Sequence, residues 1–126
     1  MAPTFDEIAK AKYILLTTFT KDGKPKPTAI WAAPDGDRLL VTTEDDSWKV
    51  KRIRNTPRVT LAICDPRGTP KSDAIEAVAR VLDKSEADDV RRAINKRYGV
   101  LGWLFGIYIK LRGLDKKSVG VELKAA

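Results

Sequence analysis

The chain has no histidine, one cysteine and no uninterrupted apolar run long enough to cross a bilayer. Without imidazole the usual ligand of zinc and haem iron is missing, so neither centre is expected. A lone thiol excludes an intramolecular disulfide, and Cys64, inside the apolar run VTLAIC, reads as a packed core residue. The opening segment MAPTFDEIAKAKY lacks the positive, apolar and small-residue regions of a secretory signal, which leads us to expect a cytoplasmic protein. Repeats, low-complexity tracts and linkers are absent too. A 126-residue chain of this kind is expected to form one domain over residues 1–126 around one core.

Acidic residues are the scarcer charge. Against 24 Lys and Arg stand 17 Asp and Glu, a formal charge of +7. That excess suits polyanionic partners, whether nucleic acid, an acidic membrane surface or a multiply charged cofactor, and does not choose among them.

Local patterns supply the elements. TFDEIAKAKY opens with Thr4 followed three residues on by Glu7, a capping box for a short helix. YILLTTFT and PTAIWAA, separated by the turn KDG, read as a hairpin; PDGD then turns the chain into a third strand, RLLVTT. Later come RVTLAICD, the turn PRGTP and the alternating run DAIEAVARVLD, in which Ile75, Ala77, Ala79 and Val81 share one face. Ser85 and Asp88 mark a helix start that runs to Gly99, a second helical stretch WLFGIYIKLR follows, and SVGVELK closes the chain as a strand. Six strands joined mainly as hairpins, with short helices between, predict an antiparallel barrel rather than a parallel sheet.

The segment TTEDDSWKVKRIRNTPRV concentrates the positive charge. Ser47 is a good N-cap and Pro57 limits the far end, so about two helical turns lie between. At helical spacing Val50 and Ile53 face inward, Trp48, Lys51, Arg52 and Asn55 face outward, and Lys49 sits at the edge. A hydroxyl, an ammonium and the unpaired N–H groups of a helix start can converge on one phosphate. Alternatively, Glu44, Asp45 and Asp46 already satisfy the helix dipole and the bases form a solvated face. Spacing leaves both readings open.

The charge admits two other uses. Trp48 beside Arg52 offers a stacking platform for bases, but no nucleic-acid motif accompanies it, so nucleic acid is not an expected partner. The run at 100–110, VLGWLFGIYIK, is flanked by Lys96, Arg97, Lys110 and Arg112 and is too short to span a membrane. It is expected to pack on the barrel or across a dimer contact rather than on lipid, and Gly102 and Gly106, four apart, suit the close approach of a helix.

The combination of GKPKPTAIW, LLVTTEDDSWKVKRIRNTPRVTLAICDPRG and KRYG resembles the split β-barrel flavin and deazaflavin oxidoreductases, the pyridoxamine-phosphate-oxidase-like superfamily, and within it the branch that uses coenzyme F420. The resemblance runs from Phe5 to about Leu123. It implies a PNPOx-like FMN-binding split barrel and a homodimer with cofactor sites at the interface. The ring system would lie along Thr28, Ala29, Ile30 and Trp31, although Ile30 and Trp31 read equally well as barrel core. The phosphate would sit at Thr42, Thr43, Ser47, Trp48 and Lys49. Lys51 and Arg52 would meet the acidic tail of F420, with Arg54 and Arg58 as further candidates, whereas FMN ends at its phosphate and needs no such groove. The function so implied is hydride transfer between reduced F420 and a small organic substrate. An FMN-dependent oxidoreductase and a non-catalytic F420 carrier are the alternatives. No catalytic residue is evident: Tyr13, Tyr98 and Asp65 are merely groups that can carry a proton, and no metal site is expected.

Overall fold

The computed structural model describes residues 2–113 and 118–126. It is mainly β, with seven antiparallel strands curled into a half-barrel and four helices. In chain order these are α1 (Phe5–Ala9), β1 (Ile14–Phe19), β2 (Pro25–Ile30), β3 (Ala33–Asp35), β4 (Arg38–Glu44), α2 (Trp48–Asn55), β5 (Arg58–Ile63), β6 (Ile75–Val81), a 3-10 turn (Lys84–Glu86), α3 (Ala87–Tyr98), α4 (Val100–Leu111) and β7 (Ser118–Ala125). The sheet order is β2-β1-β5-β6-β7-β4-β3.

The seventh strand arises where one was expected to continue. PTAIWAA stops at Ile30: Trp31 and Ala32 leave the sheet, and Ala33–Asp35 pairs with β4 as Ala33 opposite Leu40 and Asp35 opposite Arg38. β2 and β3 are the two ends of the sheet order. Two linking residues reach at most about 11 Å between their flanking Cα atoms, so the sheet must curl until its edges approach. Those edges do not pair with each other, and the gap between them is the split of the barrel.

Alternation fills the interior. Ile14 and Leu16 of β1, Leu39 and Val41 of β4, Val59 and Leu61 of β5, Ala77 and Ala79 of β6, and Val121 and Leu123 of β7 meet in one buried cluster with Ile8 of α1 and Ile53 of α2. The Thr4 and Glu7 capping box of α1 is present. Cys64 is buried as expected, and its thiol is pushed up by burial.

The α3 region starts differently from the sequence reading. Asp83, not Ser85, caps the 3-10 turn by accepting from Ser85 N at 2.9 Å, and α3 proper begins at Ala87. Asp83 competes successfully because a carboxylate is the stronger acceptor. Gly99, at φ +58°, breaks α3 from α4, a left-handed conformation that a side chain would strain. α4 packs chiefly against α3. The surroundings of Gly102 and Gly106, and the side chains of Phe105 and Ile109, lie outside the described residues.

β7 is covered on both faces. Its outward Glu122 accepts from Arg38 at 2.7 Å and Arg80 at 3.3 Å; against the opposing effect of burial, these bonds hold the carboxyl below its usual range. Its outward Gly120 lies under α3: a Cβ there would come within 2.7 Å of Val90 Cγ2 and 3.3 Å of Leu82 Cδ1. Gly120→Val is therefore expected to destabilise the protein by about 1–3 kcal/mol through overpacking, and Gly120→Ala by less. Urea denaturation checks this: a valine variant as stable as the parent would mean that α3 is not seated on β7.

Candidate functional site

The crossing at Trp31 and Ala32 is held by the end of α3. Tyr98 donates its hydroxyl proton to Lys12 O at 2.8 Å and accepts from Ala32 N at 3.2 Å. Arg97 donates to Ala32 O at 2.8 Å and to Ala11 O at 2.9 Å. Both backbone polar groups of the fully buried Ala32 are thus satisfied. The Tyr98 ring also stacks on Trp31, with centroids 4.5 Å apart and planes 11° from parallel. The motif KRYG is therefore a clamp that fixes the plane of Trp31.

Beside that crossing opens a cleft of ≈ 260 Å³ lined by Ala29, Ile30, Trp31, Val41, Thr42, Thr43, Lys49 and Ile94. Most residues expected from sequence on the ring side and on the phosphate side meet here. Ile30 satisfies both of its readings, since it belongs to the buried core and also lines the cleft. Val41 and Ile94 had not been expected. Val41 carried a signal, as the neighbour of Thr42 on one strand, but Ile94 reaches the cleft only through the tertiary seating of α3.

The remaining candidates stand around the cleft rather than in its lining. Thr28 is half-buried on β2 opposite Leu16. Ser47 caps α2, accepting from Val50 N at 3.3 Å, and its hydroxyl lies 3.4 Å from that of Thr43. Trp48 is exposed, with the Lys51 ammonium 4.6 Å from its ring centroid. Arg52 turns back from the outward face to donate to the buried hydroxyl of Thr18 at 2.7 Å. Arg58 is committed elsewhere: it forms a two-point pair with Glu76 on β6, at 2.8 and 2.9 Å, and covers the Phe19 ring. It does not extend the basic strip.

The acids ahead of α2 do not neutralise the site in the simple way their spacing allowed. Asp45 pairs with Lys84, and no acid lies in the first turn of the helix. Among the described residues Lys49 is the one charged residue in the lining, and no carboxylate lines the cleft with it. Burial pushes its ammonium below the usual lysine range, the nearby Arg52 guanidinium pushes the same way, and Glu44 opposes both.

Two of the candidate proton carriers, Tyr98 and Asp65, are taken up by structural hydrogen bonds. Burial raises the Tyr98 phenol, whose oxygen is taken up by the clamp. Asp65 accepts from Arg67 N and Thr69 N within its turn, at 2.8 and 2.9 Å, and those bonds hold its carboxyl low. Neither lines the cleft, nor does Tyr13. Among the described residues no cluster of His, Cys, Asp and Glu could hold a metal ion, and no helix is long and apolar enough to cross a membrane.

Residues 3–124 match the family described as pyridoxamine 5'-phosphate oxidase. The chain belongs to that family. The family includes oxidoreductases and binds flavins such as FMN. No curated protein matches the sequence. Solved structures share the fold. The conserved hypothetical protein Rv2991 from Mycobacterium tuberculosis is 24% identical, with a TM-score of 0.70 over 99% of this chain and 82% of that one. The heme storage protein HutZ from Vibrio cholerae is 14% identical, with a TM-score of 0.67 over 96% and 87%. An F420 reductase is 20% identical, with a TM-score of 0.62 over 100% and 96%.

The depressed Lys49 generates a stability prediction. Its folded pKa lies below its unfolded one, so the unfolded chain binds the proton more readily and stability from this group rises with pH. The penalty of burying the cation is full below the lowered folded pKa and fades as pH climbs from there towards the ordinary lysine value of 10.5. Lys49→Met is accordingly expected to be at least as stable as the parent at neutral pH, with the difference shifting towards the parent in alkaline buffer. Paired denaturant titrations across pH check this, and a gap that does not change with pH would show that Lys49 is not desolvated.

Proposed function

We propose that the cleft holds the deazaflavin cofactor F420, and that the protein is an F420-dependent oxidoreductase acting on a small organic substrate. One observation carries the reading: a half-buried ammonium, with no carboxylate beside it in the lining, stands next to two threonines at one side of a cleft whose other wall is Ala29, Ile30 and Trp31. An apolar wall with an anion-seeking corner fits a flat ring that bears a phosphate. Lys49, Thr42 and Thr43 would hold the phosphate, Ser47 would keep the start of α2 in place, and Trp31 on its Tyr98 support would set the plane of the ring.

F420 is favoured over FMN because α2 continues past the phosphate corner with Lys51, exposed beside Trp48, and with Arg52, whose Nε is held by Thr18 while the charge of its guanidinium stays on the helix, where an acidic tail would run. The F420 reductase among the structural neighbours agrees with this reading. Heme, suggested by the printed description of HutZ, fits less well in a chain without histidine. Bound F420 would supply a two-electron hydride carrier. The protein's share is then to orient the ring and keep water from it, which suits a lining with no carboxylate or imidazole for acid and base work.

A homodimer belongs to this reading. The cleft is smaller than the roughly 300–1,000 Å³ typical of small-molecule sites, so one chain encloses only part of a cofactor and a second copy would close each pocket.

Lys49→Ala is expected to weaken F420 binding by about 1.5–3 kcal/mol, the scale of a charge-assisted hydrogen bond. Calorimetry on the folded variant checks it, and unchanged affinity would remove the phosphate assignment. Lys51→Gln combined with Arg52→Gln should weaken long-tailed F420 more than a form trimmed to its phosphate, with the difference shrinking in high salt. Equal losses for the two ligands would assign these residues to the phosphate or to folding.

A further inference from the structure

α4 presents an apolar surface that the cleft does not use. At 100° per residue its exposed side chains Trp103, Ile107, Leu111, Leu104 and Tyr108 fall, in that angular order, on one arc of about 140°. Trp103 is 61% and Leu111 81% exposed. A contiguous patch of large apolar groups on a polar protein marks a surface that something covers.

The charge along this stretch of chain has one sign. From Val90 to Leu114 the sequence contains no acidic residue, while Arg91, Arg92, Lys96, Arg97, Lys110 and Arg112 all fall within it. Three of these bases are engaged: Arg91 pairs with Asp88, Arg92 with Asp89, and Arg97 grips backbone carbonyls. Lys96, Lys110 and Arg112 are exposed, and among the described residues no carboxylate pairs with them. Lys110 borders the arc on its Trp103 side, and the Arg112 guanidinium lies 5.9 Å from the Tyr108 ring centroid.

A second copy of this chain is a poor cover for such a face. In a twofold contact centred on α4 the patch meets itself, and α4 offers no acid to receive its own lysine and arginine. An anionic bilayer supplies the missing charge. Trp and Tyr favour the headgroup level, leucines can enter the boundary of the acyl chains, and flanking bases reach back to lipid phosphates.

We infer that α4 docks on the surface of an anionic lipid bilayer, lying in the interface plane with its Trp103 to Tyr108 arc in the headgroup region. The contact is peripheral, and it is independent of what the cleft binds. Through Gly99 the docked helix continues into α3, which carries Ile94 of the cleft wall and the Tyr98 support of Trp31.

The test is co-sedimentation of the full chain with vesicles of phosphatidylcholine containing a minority of phosphatidylglycerol, alongside vesicles of phosphatidylcholine alone. Retention is expected on the anionic vesicles only and should fall as salt is raised. Leu104→Asp with Leu111→Asp, and separately Lys110→Glu with Arg112→Glu, should each lower the partition on the order of tenfold or more. All four side chains are exposed, and thermal melts confirm that the variants fold; should the aspartate pair fail to fold, the charge-reversed pair and the lipid and salt dependence decide. No retention on anionic vesicles overturns the inference. So does retention that survives both variants, which would place the contact on the Lys51 face of α2. An aspartate variant that turns a dimer into a monomer by light scattering, with vesicle retention unchanged, would show that a second copy covers the face.

Discussion

The grip of Arg97 and Tyr98 on Ala32 is the contact on which the rest of the molecule depends. A chain that leaves one sheet edge at Ile30 and joins the opposite edge at Ala33 exposes a peptide unit that no strand can pair, deep in an apolar interior. Left unbonded, such a group costs about 1–3 kcal/mol. One guanidinium and one phenol, adjacent on the last turn of α3, satisfy it from both sides. The same two residues bond the carbonyls of Ala11 and Lys12, so the segment entering β1, the crossing and α3 become one unit. The split in the barrel and the cleft beside it are consequences of that crossing.

Much of this was legible in the sequence. Capping at Thr4 and Ser47, the alternation in β6 and the inward Val50 and Ile53 of α2 all stand as read, because each is decided by neighbours within a few residues. The gathering of Ala29, Ile30 and Trp31 with Thr42, Thr43 and Lys49 was also legible, through the family resemblance rather than through spacing. The break in PTAIWAA was not. Thr28, Ile30 and Trp31 are strand formers and nothing between Ile30 and Ala33 marks a stop; what holds the chain out of the sheet there is a pair of partners some 65 positions later. Ile94 in the cleft wall and the pairing of Arg58 with Glu76 escaped for the same reason: both are decided by which elements become neighbours in space.

The distribution of positive charge shows why a count of bases misleads. Arg38 and Arg80 hold Glu122, Arg58 holds Glu76, and Arg97 holds the crossing, so several of the cations are structural. Two groups of the remaining bases lie beside features that a ligand or partner could use. One is at the corner of the cleft, where Lys49 is buried enough to lose basicity and Lys51 follows along the helix, with Arg52 tied to Thr18 behind it. The other is at the margin of α4. A partly desolvated ammonium with no carboxylate beside it in the cleft lining costs stability, and it is such costs that a bound anion repays.

The most direct test of the central claim is a parallel titration of the protein with F420 and with FMN, followed by intrinsic tryptophan fluorescence, since Trp31 forms part of the cleft wall. Saturable quenching by F420 is expected at concentrations well below those at which FMN has any effect. Binding of FMN as tight as, or tighter than, that of F420 would contradict it.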